Sequence, residues 1–285
     1  MWQRTGYKER MLKRLYLVVA LLGFGLTPAL ATVASAWVDM KPVRYRMLVA
    51  QVQGQAYAAL QMQLKPGWHT YWRYPGASGI SPEFNFADSQ NVTAGEALFP
   101  APSFFDDGVG GFYGYEGETG VVFPIRYKGA ATLKLQAFLG VCREVCIPLN
   151  LALSLDMPEK SQSQSGPQKI IAGLLAAQAK APHAGLTVEG ASFDGVSLQL
   201  VVTGQDLQNP YVMSVPGPHD ILGPPRNAAR HPAAHLIEIP AWSKLDHPFI
   251  GRKLTFLVRD GAKAIEQEVE ITDHRLLPRV HPHTD

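Results

Sequence analysis

The stretch GVVFPIRYKGAATLKLQAFLGVCREVCIPLNLALSLDM, Gly120–Met157, indicates the fold more clearly than any other part of the chain. Its segments GVVFPIRYKG and ATLKLQAFLGV are rich in β-forming residues, and KGAA between them is predicted to form a hairpin loop. The segment PLNLALSLDM alternates, with leucines on one side, as a half-buried strand does. Upstream, VRYRMLVAQV and YAALQMQLK also alternate. Short strands separated by turn signals are typical of a β-sandwich or barrel.

The same stretch holds the only two cysteines of the 285 residues, Cys142 and Cys146. The pair fits three kinds of site: a structural disulfide, a metal clamp or a redox centre. A disulfide at this spacing closes a ring of about five residues, for which loop entropy gives only about 2 kcal/mol. A structural disulfide usually joins distant strands, and short exposed disulfides are the readily reduced ones. The spacing therefore favours a redox centre and leaves the other two kinds open.

The residues around the cysteines bear on their chemistry. Arg143 is expected to favour the thiolate and so lower the pKa of a neighbouring thiol, whereas Glu144 opposes this effect. Two thiolates also suit the soft ion Cu(I), for which a His or Met side chain could complete the coordination. The candidates for that third ligand are Met47, Met62, His69 and Met213. A zinc site is not expected, because no further Cys and His residues have the spacing of zinc ligands.

Residues 1–36 are predicted to be a secretory signal peptide. Five basic residues and one acid precede the apolar run LYLVVALLGFGL, Leu15–Leu26, and a small-residue stretch ends at Ala34-Ser35-Ala36. This order is typical of a cleaved signal, with cleavage after Ala36 as the first choice and after Ala31 as the second. The apolar run has about a dozen residues, whereas spanning a bilayer takes about 20. An uncleaved membrane anchor is the alternative.

Export changes the charge balance of the chain. The sequence has 26 Lys and Arg against 24 Asp and Glu, and residues 1–36 hold five and one of these, so 21 and 23 remain. The remaining chain has neither a basic face for nucleic acid nor a polybasic tract for anionic lipid. We therefore expect no nucleic-acid partner. With 46% hydrophobic residues, the chain is expected to fold without a disulfide framework.

The sequence pattern divides the exported chain into two β domains. The polar segment PEKSQSQSGPQ after the first is typical of a linker, and QKIIAGLLAAQAKA has apolar residues at helical spacing. Later segments predict hairpins around Asp194-Gly195 and Asp260-Gly261, with a Pro- and His-rich stretch between them, residues 207–248, expected to be mostly loop. The predicted organisation is a signal peptide at 1–36, a β-sandwich or barrel at 37–156, a polar linker and helix at 157–185, a second smaller β domain at 186–275 and a flexible tail at 276–285.

Four motifs of the first domain resemble a known family. They occur in the same order as in the N-terminal periplasmic domain of the thiol:disulfide interchange protein DsbD, and they are most similar to its relatives linked to suppression of copper sensitivity. The resemblance covers residues 40–156. The motifs are GWHTYWRYPGASGISPEF (Gly67–Phe84), FPAPSFF (Phe99–Phe105), GFYGYEGETGVVFPIRYKG (Gly111–Gly129) and GVCREVCIPL (Gly140–Leu149).

The resemblance implies a fold and an activity. The fold is an immunoglobulin-like β-sandwich with a redox-active pair at Cys142 and Cys146. The activity is that of a thiol-disulfide oxidoreductase, or protein-disulfide reductase, that needs no cofactor. It takes electrons from a membrane or thioredoxin-like partner and passes them to periplasmic thiol proteins. By analogy with the family, Cys146 is expected to meet partners and Cys142 to resolve the mixed disulfide.

The family also has a cap loop that shields its cysteines until a partner docks. Here this loop corresponds to Phe112, Tyr113 and Gly114, and Phe112 is expected to lie over the sulfurs as an apolar lid. The chain departs from DsbD in having fewer residues between its cysteines. It also has Gly110-Gly111 where DsbD has acidic residues, so no acid–base role of a carboxylate is carried over.

Other readings of the same residues stay open. The cysteines could serve a Cu(I)-binding or copper-tolerance protein, or a scaffold module with a structural disulfide. His69 could tune a thiol. The aromatic residues near the first motif are expected to pack in the core or at a sheet edge, with partner contact as the alternative. They are Trp68, Tyr71, Trp72 and Tyr74.

Overall fold

The computed structural model describes residues 34–76, 79–106, 108, 111–157, 165–215, 222–231, 233–242 and 249–273. Nearly all of the predicted signal peptide, most of the polar linker and the predicted tail at 276–285 lie outside the described residues. Within the part that is described, no helix combines the length and the apolar character that crossing a membrane requires.

Strands dominate the described chain. The first ten are β1 (Val38–Asp39), β2 (Val43–Val52), β3 (Gln55–Leu64), β4 (His69–Gly76), β5 (Glu83–Asn85), β6 (Gln90–Ala94), β7 (Ser103–Phe105), β8 (Phe112–Glu116), β9 (Glu118–Cys142) and β10 (Cys146–Met157). The helix α1 (Ser165–Ala176) follows them. The last seven are β11 (Thr187–Phe193), β12 (Ser197–Thr203), β13 (Tyr211–Val215), β14 (Arg226–His231), β15 (Ala234–Pro240), β16 (Lys253–Asp260) and β17 (Lys263–Asp273).

The first domain is a sandwich whose two layers share strand β9. The early part of β9 pairs with β3, which continues the layer of β2 and β1. Its later part pairs with β10 on one edge and with β4, β5 and β6 on the other. Alternate residues of both layers point inward and bury a core that includes Leu60, Trp72, Phe123 and Leu135. This arrangement confirms the predicted mostly β fold with an immunoglobulin-like sandwich, because period-2 burial on both layers is what forms such a core.

The predicted hairpin at KGAA is wrong. Strand β9 runs without interruption for 25 residues through this segment. Gly129 lies within it at a positive φ of 71°, where glycine avoids the Cβ clash of other residues. A Gly in a strand pattern marks either a turn or a local irregularity, and here the strand continues because it has partners on both sides of Gly129.

Helix α1 covers the outer face of the β2–β3–β9 layer. Ile171 is fully buried there against Leu48 and Val122, which point away from the main core. The helix begins at Ser165, inside the segment predicted to be a polar linker, and ends at Ala176, before the predicted end of the apolar pattern. The segment is therefore part of the packing of the first domain.

The second, smaller β domain is a seven-stranded sheet in the order β13-β16-β17-β11-β12-β15-β14. The two predicted hairpins are confirmed, since β11 pairs with β12 and β16 with β17. At the first turn the Asp194 carboxylate accepts hydrogen bonds from the backbone N–H groups of Val196 and Ser197, at 2.9 and 2.8 Å. The expectation of mostly loop at 207–248 is wrong, because three strands of this sheet, β13, β14 and β15, lie in that stretch.

Candidate redox site

The two cysteines face each other at the tip of the β9–β10 hairpin. Cys142 ends β9, Cys146 begins β10, and the two residues are direct partners in the strand register. Their sulfurs form a disulfide with an S–S distance of 2.05 Å. The three residues between them form the turn, in which the backbone N–H of Arg143 donates to the carbonyl of Val145 at 3.3 Å.

The two ends of the disulfide differ in exposure. Cys142 is only 2% exposed, because β4 pairs with β9 at this point and His69 lies directly opposite Cys142. Cys146 is exposed, and the neighbouring Val145 has 73% of its surface in solvent. Of the two cysteines, Cys146 is therefore the one that is more open to solvent.

A buried tyrosine contacts both sulfurs. The hydroxyl of Tyr71 donates a hydrogen bond to the sulfur of Cys142 at 3.0 Å and lies 3.4 Å from the sulfur of Cys146. The Tyr71 ring packs over Gly140, where a Cβ would meet ring carbons at 3.0 Å and the side chain of Ile80 at 2.7 Å. Gly140 therefore makes the room that lets the hydroxyl reach the disulfide.

Sequence reasoning treated Tyr71 as a packing residue and missed this contact. The available signal was the period of β4. His69 and Tyr71 lie on one face of the strand and contact the disulfide region, whereas Trp72 points to the opposite face and enters the main core. The contact also requires the register that places β4 beside the end of β9, which the sequence does not state.

Aromatic rings cover the buried side of the disulfide. Phe112 is 7% exposed and forms one buried cluster with Tyr71 and Cys142. Its ring stacks on His69 at 4.0 Å between ring centroids and on Phe105 at 4.9 Å, while Tyr71 meets it edge-on at 5.4 Å. Such stacked and edge-on pairs add to the stability that burial alone provides.

The three residues predicted to form a cap loop have different surroundings. They lie in strand β8, which pairs with β4 on one side and with β7 on the other. Phe112 belongs to the cluster around Cys142. Tyr113 points the opposite way, with its ring 6.5 Å from that of Trp72. Gly114 allows close strand packing, since a Cβ there would lie 2.1 Å from the carbonyl oxygen of Thr70.

The charged residues of the turn lie in solvent. The guanidinium of Arg143 is 3.8 Å from the carboxylate of Glu144, and their side chains are 55% and 85% exposed. Exposed pairs of this kind contribute little to stability, because water and salt screen them. Arg143 also lies over the ring of Trp68, with 5.8 Å from its guanidinium carbon to the ring centroid. The expected effects of Arg143 and Glu144 on the pKa of a neighbouring thiol stay a prediction.

Of the side chains considered as a third Cu(I) ligand, only His69 lies in the cluster around the disulfide. Met47, Met62 and Met213 are buried in the main hydrophobic core. Among the residues that the structure describes, no group of three or more His, Cys, Asp or Glu side chains is arranged to hold a metal ion.

The stability of the site is expected to depend on pH through His69. Burial lowers the pKa of His69 below its ordinary value of 6.5, against a smaller opposing effect of Glu116. The unfolded chain then binds a proton more readily than the folded chain, so stability should fall as the pH drops below about 6.5. Burial acts in the same direction on the pKa of His235 in the second domain.

A His69→Phe variant tests this dependence, because it keeps an aromatic ring on Phe112 and removes the titrating group. The loss of unfolding free energy between pH 7.5 and pH 5, measured in urea, should be smaller in this variant than in the wild type. His183→Phe, at an exposed position, is the matched control for removing an imidazole. An unchanged pH dependence in His69→Phe would contradict the assignment.

Residues 40–156 match the model described as the N-terminal domain of the thiol:disulfide interchange protein DsbD. This segment, here called the DsbD-type segment, is similar to the DsbD N-terminal domain family. The DsbD-type segment holds the whole disulfide site: both cysteines, Tyr71, His69 and Phe112. Thiol–disulfide interchange is the activity for which that family is named.

A solved structure shows the same fold over a longer part of the chain. The crystal structure of the N-terminal periplasmic domain of ScsB from Proteus mirabilis is similar with a TM-score of 0.71 and 22% identity. The match covers 85% of this chain and 100% of that chain, so the shared fold extends beyond the DsbD-type segment into the second β domain. No curated protein matches the chain.

Proposed function

We propose that the chain is a periplasmic thiol–disulfide exchange protein. It passes electrons between a membrane or thioredoxin-like partner and periplasmic thiol proteins through Cys142 and Cys146. The observation that carries the proposal is the asymmetry of the disulfide, with one exposed and one buried cysteine. An exchange protein needs one sulfur that partners reach and a second that is held ready to resolve the mixed disulfide.

Reduction of the chain would begin at the exposed sulfur. A partner thiolate attacks the sulfur of Cys146, the bond between the two cysteines breaks, and its electron pair leaves on the sulfur of Cys142. The Tyr71 hydroxyl is placed to donate a hydrogen bond to this developing thiolate, and such charge-assisted bonds are stronger than neutral ones. The partner's second thiolate then attacks the partner sulfur of the mixed disulfide, which closes a disulfide in the partner and releases Cys146 as a thiolate. The chain has then gained two electrons, and uptake of two protons converts Cys142 and Cys146 to thiols.

Delivery of the electrons would use the same sulfurs in reverse. The thiolate of Cys146 attacks a disulfide in a target protein and releases one target thiolate, which takes up a proton. The Cys142 thiolate then attacks the sulfur of Cys146, which frees the second target thiolate and restores the disulfide. The ring of Phe112 covers Cys142 during this cycle, so that the resolving thiolate meets Cys146 and not a second target.

The proposed compartment rests on the N-terminal pattern, and the first described residues bear on the cleavage site. Ala34 forms a β-bridge with Leu48, and the backbone N–H of Ser35 donates to the carbonyl of Met47 at 2.8 Å. Cleavage after Ala36 would remove both contacts, whereas cleavage after Ala31 would keep them. These contacts support the second choice of site.

The reduction potential of the disulfide tests the proposal. The purified chain is titrated in glutathione buffers without copper, because two thiols at this spacing also suit Cu(I). We expect a potential near −200 mV, in the range of proteins that exchange disulfides. A potential well below −300 mV is typical of structural disulfides and would contradict the proposed exchange function.

A further inference from the structure

The paired strands β7 and β8 lie beside the disulfide. The side chains on their two faces, Phe104, Phe105, Phe112 and Tyr113, are here called the aromatic plate. Phe105 and Phe112 are register partners and belong to the rings that cover Cys142. Phe104 and Tyr113 are the second aromatic register pair, and they face away from the disulfide. Each residue of the covering face is thus joined through the backbone to a residue of the opposite face.

The second β domain packs against the face of the aromatic plate that points away from the disulfide. Tyr211 on β13 stacks on Phe104, with 4.6 Å between ring centroids and an angle of 22° between the ring planes. It also meets Tyr113 edge-on at 6.3 Å. Burial raises the pKa of Tyr113 to about 12, as expected where a ring is held away from water.

A charged side chain fixes the backbone that leads into the plate. Arg259 on β16 is the direct register partner of Tyr211. Its guanidinium donates to the carbonyl of Pro102 at 2.9 Å and to the hydroxyl of Ser103 at 3.2 Å. A guanidinium with several acceptors holds a fixed geometry, because its donors lie in one plane.

Among the described strands, the outer edge of the aromatic plate has few strand partners. Strand β7 has three residues and pairs only with β8 among the described strands. The pairing of β8 with β4 shifts register between Tyr71 and Gly76. Short strands at the edge of a sheet are stable only when other groups pack on them. A further contact joins the two domains near the site, the ion pair of Arg73 on β4 with Glu266 on β17.

We propose that the second β domain, through Tyr211 and Arg259, positions the aromatic plate over Cys142 and so directs partner thiols to Cys146. This inference rests on the proposed exchange function and gives the second domain a part in it. Tyr211 and Arg259 are positioning residues, because they touch the plate and not the sulfurs. Loss of the contacts made by Tyr211 and Arg259 allows the aromatic plate to move and exposes the sulfur of Cys142.

Alkylation of single cysteines tests the inference in the full chain. In a Cys146→Ser background, the rate at which iodoacetamide modifies Cys142 reports its cover. Tyr211→Ala and Arg259→Gln should each raise this rate at least tenfold. Tyr211→Phe keeps the stacked ring and should restore the slow rate. Lys253→Gln is the matched control, since it removes a cation of β16 that pairs with the exposed Glu268.

A parallel measurement separates loss of cover from loss of folding. In a Cys142→Ser background, the alkylation rate of Cys146 should change less than twofold in the same variants. An unchanged Cys142 rate overturns the inference, and so does an equal rise at both cysteines, which indicates general loosening. A reduction potential in the structural range would overturn the exchange function while leaving the cover of Cys142 measurable, so the two failures are distinguishable.

Discussion

A Cys142→Ser variant, after reduction, is expected to form a long-lived mixed disulfide through Cys146, whereas Cys146→Ser is expected to form almost none. The exposed sulfur of Cys146 can meet a disulfide probe, while Cys142 lies beneath Phe112 and is 2% exposed. Access and thiolate character set the rate of such exchange, so we expect rates about two orders of magnitude apart. Without Cys142, no internal thiolate releases the product.

Oxidised glutathione serves as the probe, and mass spectrometry counts the glutathione adducts with time. The Cys142→Ser adduct should persist until a reductant is added. The reduced wild-type chain should instead return to its internal disulfide and release glutathione, so its adduct should be transient. Equal adduct formation by the two single-cysteine variants would contradict the assignment of Cys146 as the sulfur that meets partners.

Gly114→Ala is expected to cause the largest loss of stability among single substitutions near the site. The added Cβ would lie 2.1 Å from the carbonyl oxygen of Thr70 and 3.3 Å from the Cα of Tyr71. Backbone atoms cannot turn aside as a flexible side chain does, so β8 must separate from β4. Overpacking of this kind costs about 3 kcal/mol or more. For a chain of this size that lowers the melting temperature by roughly 6–12 °C.

Gly173→Ala is the matched control for Gly114→Ala. Gly173 is exposed in helix α1 and has nothing within 4 Å of the position of a Cβ. Alanine is the better helix former by about 0.5–1 kcal/mol, so this variant should melt at a slightly higher temperature. If the Gly114→Ala variant has the same melting temperature as the wild type, the close approach of β8 to β4 does not exist in solution.

The sequence was sufficient for features that depend on local pattern. Alternation and turn residues predicted a β-sandwich or barrel, and the resemblance to the DsbD family selected the sandwich. The apolar spacing predicted the helix, and Asp-Gly pairs predicted both hairpins of the second domain. The position of the cysteines near a strand end followed from the apolar run before Cys142 and from Pro148 after Cys146. Each of these inferences uses residues that are close together in the chain.

The features that were missed depend on contacts between distant residues. The strands within 207–248 are held by pairing with β12 and β16, which Pro- and His-rich sequence does not signal. Tyr71 reaches the sulfurs only because β4 lies beside the end of β9, 71 residues away. Arg259 contacts the carbonyl of Pro102, which is 157 residues away. Tertiary pairing overrides local propensity at these places.

Because Cys142 and Cys146 are separated by only four positions in the sequence, closing their disulfide removes little chain entropy, so we expect folding and oxidation state to be only weakly linked. In a thermodynamic cycle, the difference in folding free energy between oxidised and reduced chains equals the difference in bond-forming free energy between folded and unfolded chains. The hairpin register continues from Ile147↔Val141 to Met157↔Ala131, away from the disulfide. We therefore expect the reduced chain to keep its folded sandwich, which the proposed exchange function requires of a protein that holds two electrons between partners.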